Sequence, residues 1–331
     1  MIPTDLSLPI LSSRTRLLAI IGNPISHSIS PRIQNAAWRA ANIDVALVAC
    51  RVENDDVKAA VRGAQSLGFL GLMVTVPHKE RVLDVCDELD NSARDVGAAN
   101  LLHFRDDGKI VGYSSDGWAA VKDLAEHGIV VKNQRVAILG AGGAARSLAL
   151  TLAREGVREL RVLNRTRTRA QRLAEEVRAL GVDVFVGETR DEDFATHLRD
   201  VDLLINATST GMHKKDHALR DMYHKGQITY DDVMARADNA LELEVMMLNE
   251  GEETPLEKKF LRREMAVYDI VYNPLETRLL REAREIGATA IDGLGMLIGT
   301  NIRAAQICAN ANLSWDVMRR EAMRALNLKA E

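Results

Sequence analysis

The sequence predicts an α/β fold built from two layered units, and three observations support this prediction. Short apolar runs alternate with amphipathic stretches over the first third of the chain. The same alternation restarts at Arg135, and the first strand after this restart runs directly into the glycine-rich stretch Gly140–Ala145. A chain of 331 residues is long enough for two domains.

The first unit consists of apolar runs that end at glycine or proline, with helical patterns between them. Pro31 opens the first helical pattern, since proline is tolerated in the first turn of a helix. A turn at Asp106–Gly108 predicts a hairpin. The predicted elements are strands Leu17–Gly22, Val45–Cys50 and Gly71–Val76, helices Pro31–Ala41, Asp55–Leu67 and Lys79–Leu89, and a hairpin of Ala98–His103 with Lys109–Tyr113.

The second unit follows a predicted helix over Gly117–His127 and repeats the order of strand and helix. No fixed-period repeat and no low-complexity tract interrupts it. The predicted elements are strand Arg135–Leu139, helix Ala144–Arg154, strand Glu159–Leu163, helix Thr168–Leu180, and strands Val182–Val186 and Val201–Ile205.

Composition excludes several classes of function. The formal net charge of −4 argues against nucleic acid or an anionic membrane as the main partner. Cys50, Cys86 and Cys308 are far apart and not in ligand spacing, so we expect structural thiols, no disulfide framework and no metal site. The sequence has no apolar run of membrane-spanning length and no basic leader followed by an apolar stretch, which predicts a cytosolic protein.

The glycine-rich stretch has the spacing Gly140-x-Gly142-x-x-Ala145 between a predicted strand and a predicted helix. The first glycine permits a tight turn, the second lets a pyrophosphate approach the backbone, and a small third residue lets helix and strand pack closely. The N–H groups at the helix start then face the phosphates. The alternative is a plain glycine turn, but its position favours a dinucleotide site of the Rossmann type.

Arginines follow the next predicted strand, in the stretch Asn164–Arg169. NAD-binding versions of this fold usually place an acidic residue there to accept from the ribose 2′-hydroxyl. Arg165 and Arg169 instead lie four residues apart at a helix start, where guanidinium groups can bind a 2′-phosphate. The alternative is a solvated basic helix start, a description that suits Arg167 and Arg172. The coincidence with the glycine stretch favours NADP(H) as the cofactor.

Two charged residues flank the predicted junction between the units. Lys79 follows a strand end and Asp116 precedes the helix that leads into the second unit, so both would face a cleft there. Such a lysine can exchange the proton that accompanies hydride transfer. Alternatively, Lys79 is an exposed helix-start lysine and Asp116 a helix cap. Ser28 and Ser30 are either ordinary loop serines or hydrogen-bond donors to a small anion.

Taken together, the motifs of the chain resemble those of the shikimate dehydrogenase family. They occur in family order between Leu17 and Asn310. The matching segments are Gly22–Pro31, Val74–Lys79, Gly97–Asn100, Ser115–Gly117, Gly140–Ala144, Asn164–Thr166 with Arg169, Asn206–Met212, Tyr272–Pro274 and Asp292–Leu297.

The resemblance implies an N-terminal α/β substrate domain, residues 1–116 with 292–331, and an NADP-binding, Rossmann-like doubly wound domain, residues 117–291. It implies NADPH-dependent reduction of 3-dehydroshikimate to shikimate, with Lys79 and Asp116 as the catalytic pair. The implied substrate contacts are Ser28, Ser30, Thr75, Asn100, Tyr272 and Thr300. The implied cofactor contacts are Gly140, Ala141, Gly142, Gly143, Ala144, Asn164, Arg165, Thr166, Arg169, Thr208, Gly293 and Met296.

The chain departs from the family pattern at several substrate-side positions. Met73 and Leu101 stand where the family usually has polar residues, Ser115 where it has threonine, and Thr300 where it has glutamine. A site that loses a hydrogen-bonding partner changes its discrimination between substrates. Two alternatives therefore stay open, a quinate-type dehydrogenase and a non-catalytic NADP-binding regulatory relative.

Residues 213–253 form an insertion relative to the family pattern. An apolar stripe over Tyr230–Leu248 predicts a helix. We interpret the stripe as packing against the NADP domain, with a lid over the cleft or a homodimer contact as alternatives.

Overall fold

The computed structural model describes residues 11–26, 28–188, 192–208, 210 and 254–326. The predicted insertion 213–253 lies outside the described residues, so its helix, lid and dimer interpretations stay predictions. Within the described ranges the chain forms an α/β fold with two six-stranded sheets, which confirms the predicted fold class.

The first sheet has the strand order β2-β1-β3-β5-β6-β4. β1, β2 and β3 are parallel, and the hairpin strand β5 runs antiparallel to both β3 and β6. The carboxyl ends of β1, β3 and β6 and the amino end of β5 therefore meet at one edge. The strands are β1 Arg16–Gly22, β2 Val45–Arg51, β3 Gly71–Val74, β4 Glu88–Leu89, β5 Leu101–Phe104 and β6 Ile110–Tyr113; the helices are α1 Ser30–Ala40, α2 Val57–Ser66 and α3 Asn91–Val96.

The second sheet is entirely parallel, with the order β12-β11-β10-β7-β8-β9. The chain winds outward from β7 in one direction and from β10 in the other, so the carboxyl ends of β7 and β10 flank the crevice where ligands bind in such sheets. The elements are β7 Arg135–Leu139, α5 Gly143–Arg154, β8 Glu159–Leu163, α6 Arg167–Arg178, β9 Asp183–Gly187, β10 Leu203–Asn206, β11 Ala266–Asp269, α7 Arg278–Glu285 and β12 Thr289–Ile291.

Two helices connect the sheets, α4 (Asp116–Glu126) and α8 (Leu294–Ala309), and α9 (Trp315–Ala325) follows. They approach closely because glycine faces the partner helix. A Cβ at Gly299 would lie 2.8 Å from the Cβ of Ala119, and one at Gly295 would collide with the carboxylate of Asp123. This packing sets how the ends of the two sheets face each other.

The predicted helix Lys79–Leu89 is wrong. The structure has a short 3₁₀ helix over Arg81–Val85, followed by β4, and then the unpredicted α3. Val82 and Val85 are buried at a spacing of three, which suits both helix types. Pairing of β4 with β6 decides the outcome, and the Asp90 side chain then caps α3 by accepting from Ser92 N.

Candidate active site

A pocket lies at the edge of the first sheet, facing the ends of β11 and β12. Strand ends bring its residues together from distant parts of the sequence. The residues that line it are Ile20, Ile25, Ser28, Ser30, Met73, Val74, Thr75, Lys79, Asn100, Asp116, Ile270, Tyr272, Gly293, Met296, Leu297 and Thr300.

The pocket contains an ion pair. Lys79 Nζ donates to Asp116 Oδ2 at 2.7 Å, and Asn100 Nδ2 donates to Asp116 Oδ1 at 2.6 Å. The lysine side chain is 31% exposed and the aspartate side chain 9%, so the ammonium faces the open side of the pocket. Asp116 is thus not a helix cap, because both its carboxylate oxygens serve the pocket.

Backbone hydrogen bonds fix the residues around this pair. Ala99 N donates to the carbonyl of Lys79, and Val74 N donates to the carbonyl of Asn100. The Asn100 side chain is oriented by Ser115, whose N and Oγ both donate to Asn100 Oδ1, at 2.8 and 3.1 Å. One hydrogen of the Asn100 amide remains unused in these contacts, so it can donate to a ligand.

The two predicted serines lie at the start of α1 and both line the pocket. Asn301 Nδ2 donates to Ser30 Oγ at 3.3 Å and to the carbonyl of Leu297 at 2.8 Å. Ser30 N donates to Ser28 Oγ at 3.4 Å. Because both hydroxyl oxygens accept, their protons are free to donate towards an anionic ligand.

Burial raises the pKa of the Tyr272 phenol above its ordinary value of 10.0. The group therefore stays protonated at neutral pH and is a third hydroxyl donor of the pocket.

One wall of the pocket is apolar. Ile20, Ile25, Met73 and Leu297 line it, and the hydroxyl of Thr300 donates to the Leu297 carbonyl at 2.8 Å. The two apolar departures noted in the sequence differ in position. Met73 contributes to the pocket, whereas Leu101 pairs with Met73 in the sheet and is buried outside it.

The glycine-rich turn lies at the crevice of the second sheet. Gly140 has φ +111°, and a Cβ there would lie 3.0 Å from the carbonyl oxygen of Ala207, which is why glycine is needed. Gly142 and Gly143 face open space, and α5 begins at Gly143. The exposed amides at this helix start match the requirement of a bound pyrophosphate.

The basic stretch lies beside this turn, at the carboxyl end of β8. Asn164 Nδ2 donates to the carbonyl of Thr166 at 2.9 Å and shapes the loop. Arg165 and Arg169 are exposed. Within the part of the chain that the structure describes, neither guanidinium has a hydrogen-bonding or ionic partner. Both are therefore available to an anion.

The structure brings the predicted substrate-side residues into one pocket, together with Gly293 and Met296, and it places the other predicted cofactor residues after β7, β8 and β10. Sequence reasoning did not assign a site role to five lining residues or to Asn301 behind them; the five are Ile20, Ile25, Val74, Ile270 and Leu297. Asn301 follows Thr300 on α8, and a polar residue in that apolar helix is a signal that was available.

Two negative observations apply to the described residues. They include no group of three or more histidine, cysteine, aspartate or glutamate side chains arranged to hold a metal ion. No helix among them is long and apolar enough to cross a membrane.

Comparison with known proteins gives two family matches. Residues 20–102 match the shikimate dehydrogenase substrate binding domain, and residues 123–227 match the shikimate / quinate 5-dehydrogenase model. The shikimate dehydrogenase (NADP(+)) of Methanopyrus kandleri is 34% identical over 325 residues, which are 96% of this chain and 98% of that protein.

Two solved structures support the same family. A shikimate dehydrogenase in complex with NADP+ has 32% identity and a TM-score of 0.80, covering 96% of this chain and 98% of that one. Shikimate 5-dehydrogenase from Listeria monocytogenes, in complex with shikimate and NAD, has 26% identity and a TM-score of 0.79, covering 95% and 98%. The chain therefore belongs to the shikimate dehydrogenase family.

Proposed function

We propose that this protein is an NADP-dependent oxidoreductase that reversibly reduces 3-dehydroshikimate to shikimate. The observation that carries the proposal is the Lys79–Asp116 ion pair, 2.7 Å between Nζ and Oδ2, inside a pocket that both sheets help to line. Family membership supports the reaction, because relatives along almost the whole chain are shikimate dehydrogenases that use NADP(+).

The residues of the second sheet fit NADP(H). The amides after Gly142 would hold the pyrophosphate, and the exposed guanidiniums of Arg165 and Arg169 would hold the 2′-phosphate bidentately. Thr208, which approaches Gly140, would close the same crevice. When bound, the reduced cofactor supplies a hydride to the carbonyl carbon of the substrate.

Lys79 supplies the proton in this proposal. Its ammonium donates a proton to the carbonyl oxygen as that oxygen gains negative charge, and the neutral amine takes the proton back in the reverse direction. Asp116 accepts from Lys79 Nζ and Asn100 Nδ2, so it holds both donors in place before the substrate arrives.

Neutral donors bind the rest of the substrate. The free hydroxyl protons of Ser28, Ser30 and Tyr272 would donate to the ring carboxylate, which suits an anion in a pocket whose one lysine is already paired. Thr75 and the unused amide hydrogen of Asn100 would contact ring hydroxyls. Thr300 has its proton committed to Leu297, so it would act as an acceptor only.

The division into a substrate domain, residues 1–116 with 292–331, and an NADP domain, residues 117–291, is part of the proposal. It is supported by the placement of the two sheets on either side of α4. A cytosolic location and a homodimer stay predictions.

A substrate panel tests the function. NADP+ reduction is followed with shikimate, quinate and simpler hydroxy acids, and we expect kcat/KM to be highest for shikimate. Preference for quinate would indicate the quinate-type alternative, which the apolar wall around Met73 makes worth testing. No turnover of any member, with NADP binding intact, would show a non-catalytic relative.

A further inference from the structure

A buried carboxylate lies between the two ligand sites without belonging to either. Asp269 ends β11, and its register partner Asn206 ends β10. Both are fully buried, and Thr277, which caps α7, is 2% exposed. Asp269 Oδ1 accepts from Asn206 Nδ2 at 2.9 Å, and its Oδ2 accepts from the Thr277 hydroxyl at 2.7 Å.

One arm of this network runs to the cofactor crevice. Asn206 Oδ1 accepts from both Thr208 N, at 3.1 Å, and Thr208 Oγ1, at 2.7 Å. Thr208 in turn stands against the glycine-rich turn, since a Cβ at Gly140 would lie 3.2 Å from Thr208 Cγ2. The loop after β10 is thus held beside the phosphate-binding turn by the Asn206 side chain.

The other arm runs to the substrate pocket. Val271 N donates to the same Asp269 Oδ1 at 3.1 Å, and the Val271 carbonyl accepts from Gly293 N. The neighbours of Val271 along the chain, Ile270 and Tyr272, line the pocket, as does Gly293. One carboxylate oxygen therefore holds a segment of each site.

The chemistry of the carboxylate sets the polarity of the network. An ionised carboxylate only accepts, so Asn206 must turn its Nδ2 towards Asp269 and its Oδ1 towards Thr208. Burial raises the pKa of Asp269 to about 6, although the hydrogen bonds from Thr277, Val271 and Asn206 lower it. Among the described residues no cation pairs with Asp269, so its hydrogen bonds alone offset the cost of burying this carboxylate.

We propose that Asp269 is a positioning residue that aligns the cofactor loop at Thr208 with the substrate segment at Tyr272, through the hydrogen bonds that its Oδ1 accepts. The proposal rests on the proposed function for its substrate half. Its cofactor half concerns NADPH binding alone and can be tested without knowing the substrate.

The test compares two substitutions. Asp269→Leu keeps the branching and the number of side-chain heavy atoms but accepts nothing, and we expect the KM values for NADPH and for 3-dehydroshikimate each to rise about tenfold, as for the loss of a buried hydrogen bond. Asp269→Asn can keep its carbonyl towards Asn206 and Val271, so both KM values should stay within about threefold of the parent. An equal rise of the KM values in the two variants would overturn the role of the accepting oxygen.

Thr277→Val is the matched control. It removes the contact to the other carboxylate oxygen and the cap of α7, so it should lower the melting temperature while both KM values stay unchanged. If it raises the KM values as much as Asp269→Leu does, the effect is loss of stability and the proposal fails.

Direct NADPH binding, followed by cofactor fluorescence, separates this inference from the proposed function. Weaker NADPH binding in Asp269→Leu and in Thr208→Val supports the inference even if the substrate is another ketone. Thr208→Val also provides a second measurement in case the Asp269→Leu variant does not fold. Unchanged NADPH binding in both variants would overturn the inference that Asp269 is a positioning residue.

Discussion

The two ligand-binding edges of the molecule differ in how much of their hydrogen bonding is already made. At the edge of the first sheet, Lys79 and Asn100 are bonded to Asp116, and Asp116 and Asn100 are buried. At the edge of the second sheet, Gly142 and Gly143 face open space, and Arg165 and Arg169 are exposed. The ion pair of the first edge is already bonded within the protein, whereas the phosphate-binding groups of the second edge are left for a ligand.

The difference follows from what each edge has to do. A proton donor acts in one geometry, so the lysine must be held at its position before the substrate arrives. A phosphate is bound by amides and guanidiniums that water can satisfy in its absence, so these groups need no internal partner. We therefore expect substitution of Lys79 at the first edge to affect the rate, and substitutions at the second edge to affect cofactor affinity.

The largest effect should come from Lys79→Ala. The variant loses the proton donor, and general acid catalysis typically contributes about 10²- to 10⁴-fold, so we expect kcat to fall by roughly 10³-fold. NADPH binding, measured by fluorescence, should persist because the cofactor residues are elsewhere.

Lys122→Ala is the control for this substitution. Lys122 lies on α4, half-exposed, and pairs with Glu126 four residues later. Exposed pairs contribute little, so this variant should keep the parental kcat. Unchanged turnover in Lys79→Ala would remove Lys79 from the proposed chemistry and with it the contrast between the two edges.

The two edges also differ in how far the sequence predicts them. The cofactor edge is encoded by contiguous stretches, such as the turn at Gly140 and the arginines after β8, whose physical requirements are local. The sequence predicts that Lys79 and Asp116 face one cleft, but the Asn100 contact that holds Asp116 needs the antiparallel β5, which brings Asn100 to the same edge as Lys79. The pairing of β4 with β6, which replaces the helix predicted over Lys79–Leu89, is equally non-local.

Buried polar residues were the least predictable part. Asn301 and Asp269 stand in apolar segments, and their partners Ser30 and Asn206 are 271 and 63 residues away. Periodicity marks such positions as interior, but it carries no information about which donor they meet. Only the folded arrangement shows that they hold the sites together.

The second effect concerns Asp269, the buried carboxylate that pairs with no cation among the residues that the structure describes. Burial raises the pKa of Asp269 from 3.8 to about 6, so the carboxylate binds a proton more tightly in the folded protein than in the unfolded chain. Protonation of Asp269 therefore contributes about 3 kcal/mol to the free energy of unfolding below pH 4. This contribution is lost as the pH rises through 6. Asp269→Asn cannot ionise, so relative to the parent it should gain about 3 kcal/mol in unfolding free energy between pH 4 and pH 7, measured by urea denaturation.

Asp87→Asn is a control, because the contribution of Asp87 to stability has the opposite pH dependence. The pKa of Asp87 is lowered, first by the backbone hydrogen bond from Ile110 and then by Arg62. Its contribution is present above the ordinary pKa and is lost as the pH falls through the lowered one. Parallel pH profiles for the parent and Asp269→Asn would contradict the assignment of a charged, buried Asp269.

The third effect tests the open donors of the second edge. In Arg165→Ala the 2′-phosphate loses a charged hydrogen-bonding partner worth about 2 kcal/mol, so the Kd for NADP+ should rise roughly 30-fold. NAD+ has no 2′-phosphate, and its Kd should change little. Titrations of both cofactors measure the ratio.

Arg172→Ala is the matched control, because Arg172 is another exposed arginine farther along α6. It should leave both Kd values unchanged. Equal weakening of NADP+ and NAD+ by Arg165→Ala would show that this guanidinium does not discriminate between them, and the second edge would then be a general anion site.

The smallest effect tests the internal bonding of the first edge. Asn301 Nδ2 donates to Ser30 Oγ and leaves the serine proton free for the pocket. In Asn301→Asp an acceptor replaces this donor, so the Ser30 proton turns towards it and one hydrogen bond to the substrate is lost. The KM for the carboxylate substrate should rise about tenfold with a smaller change in kcat, measured by steady-state kinetics.

A double-mutant cycle decides whether Ser30 transmits this effect. In the Ser30→Ala background the serine proton is already gone, so Asn301→Asp should raise the KM no further. Asn312→Asp makes the same chemical change at an exposed position after α8 and should leave the KM unchanged. Additive losses at residues 30 and 301 would mean that Asn301 acts on the pocket by another route, and the first edge would then be less completely prearranged than its hydrogen bonds indicate.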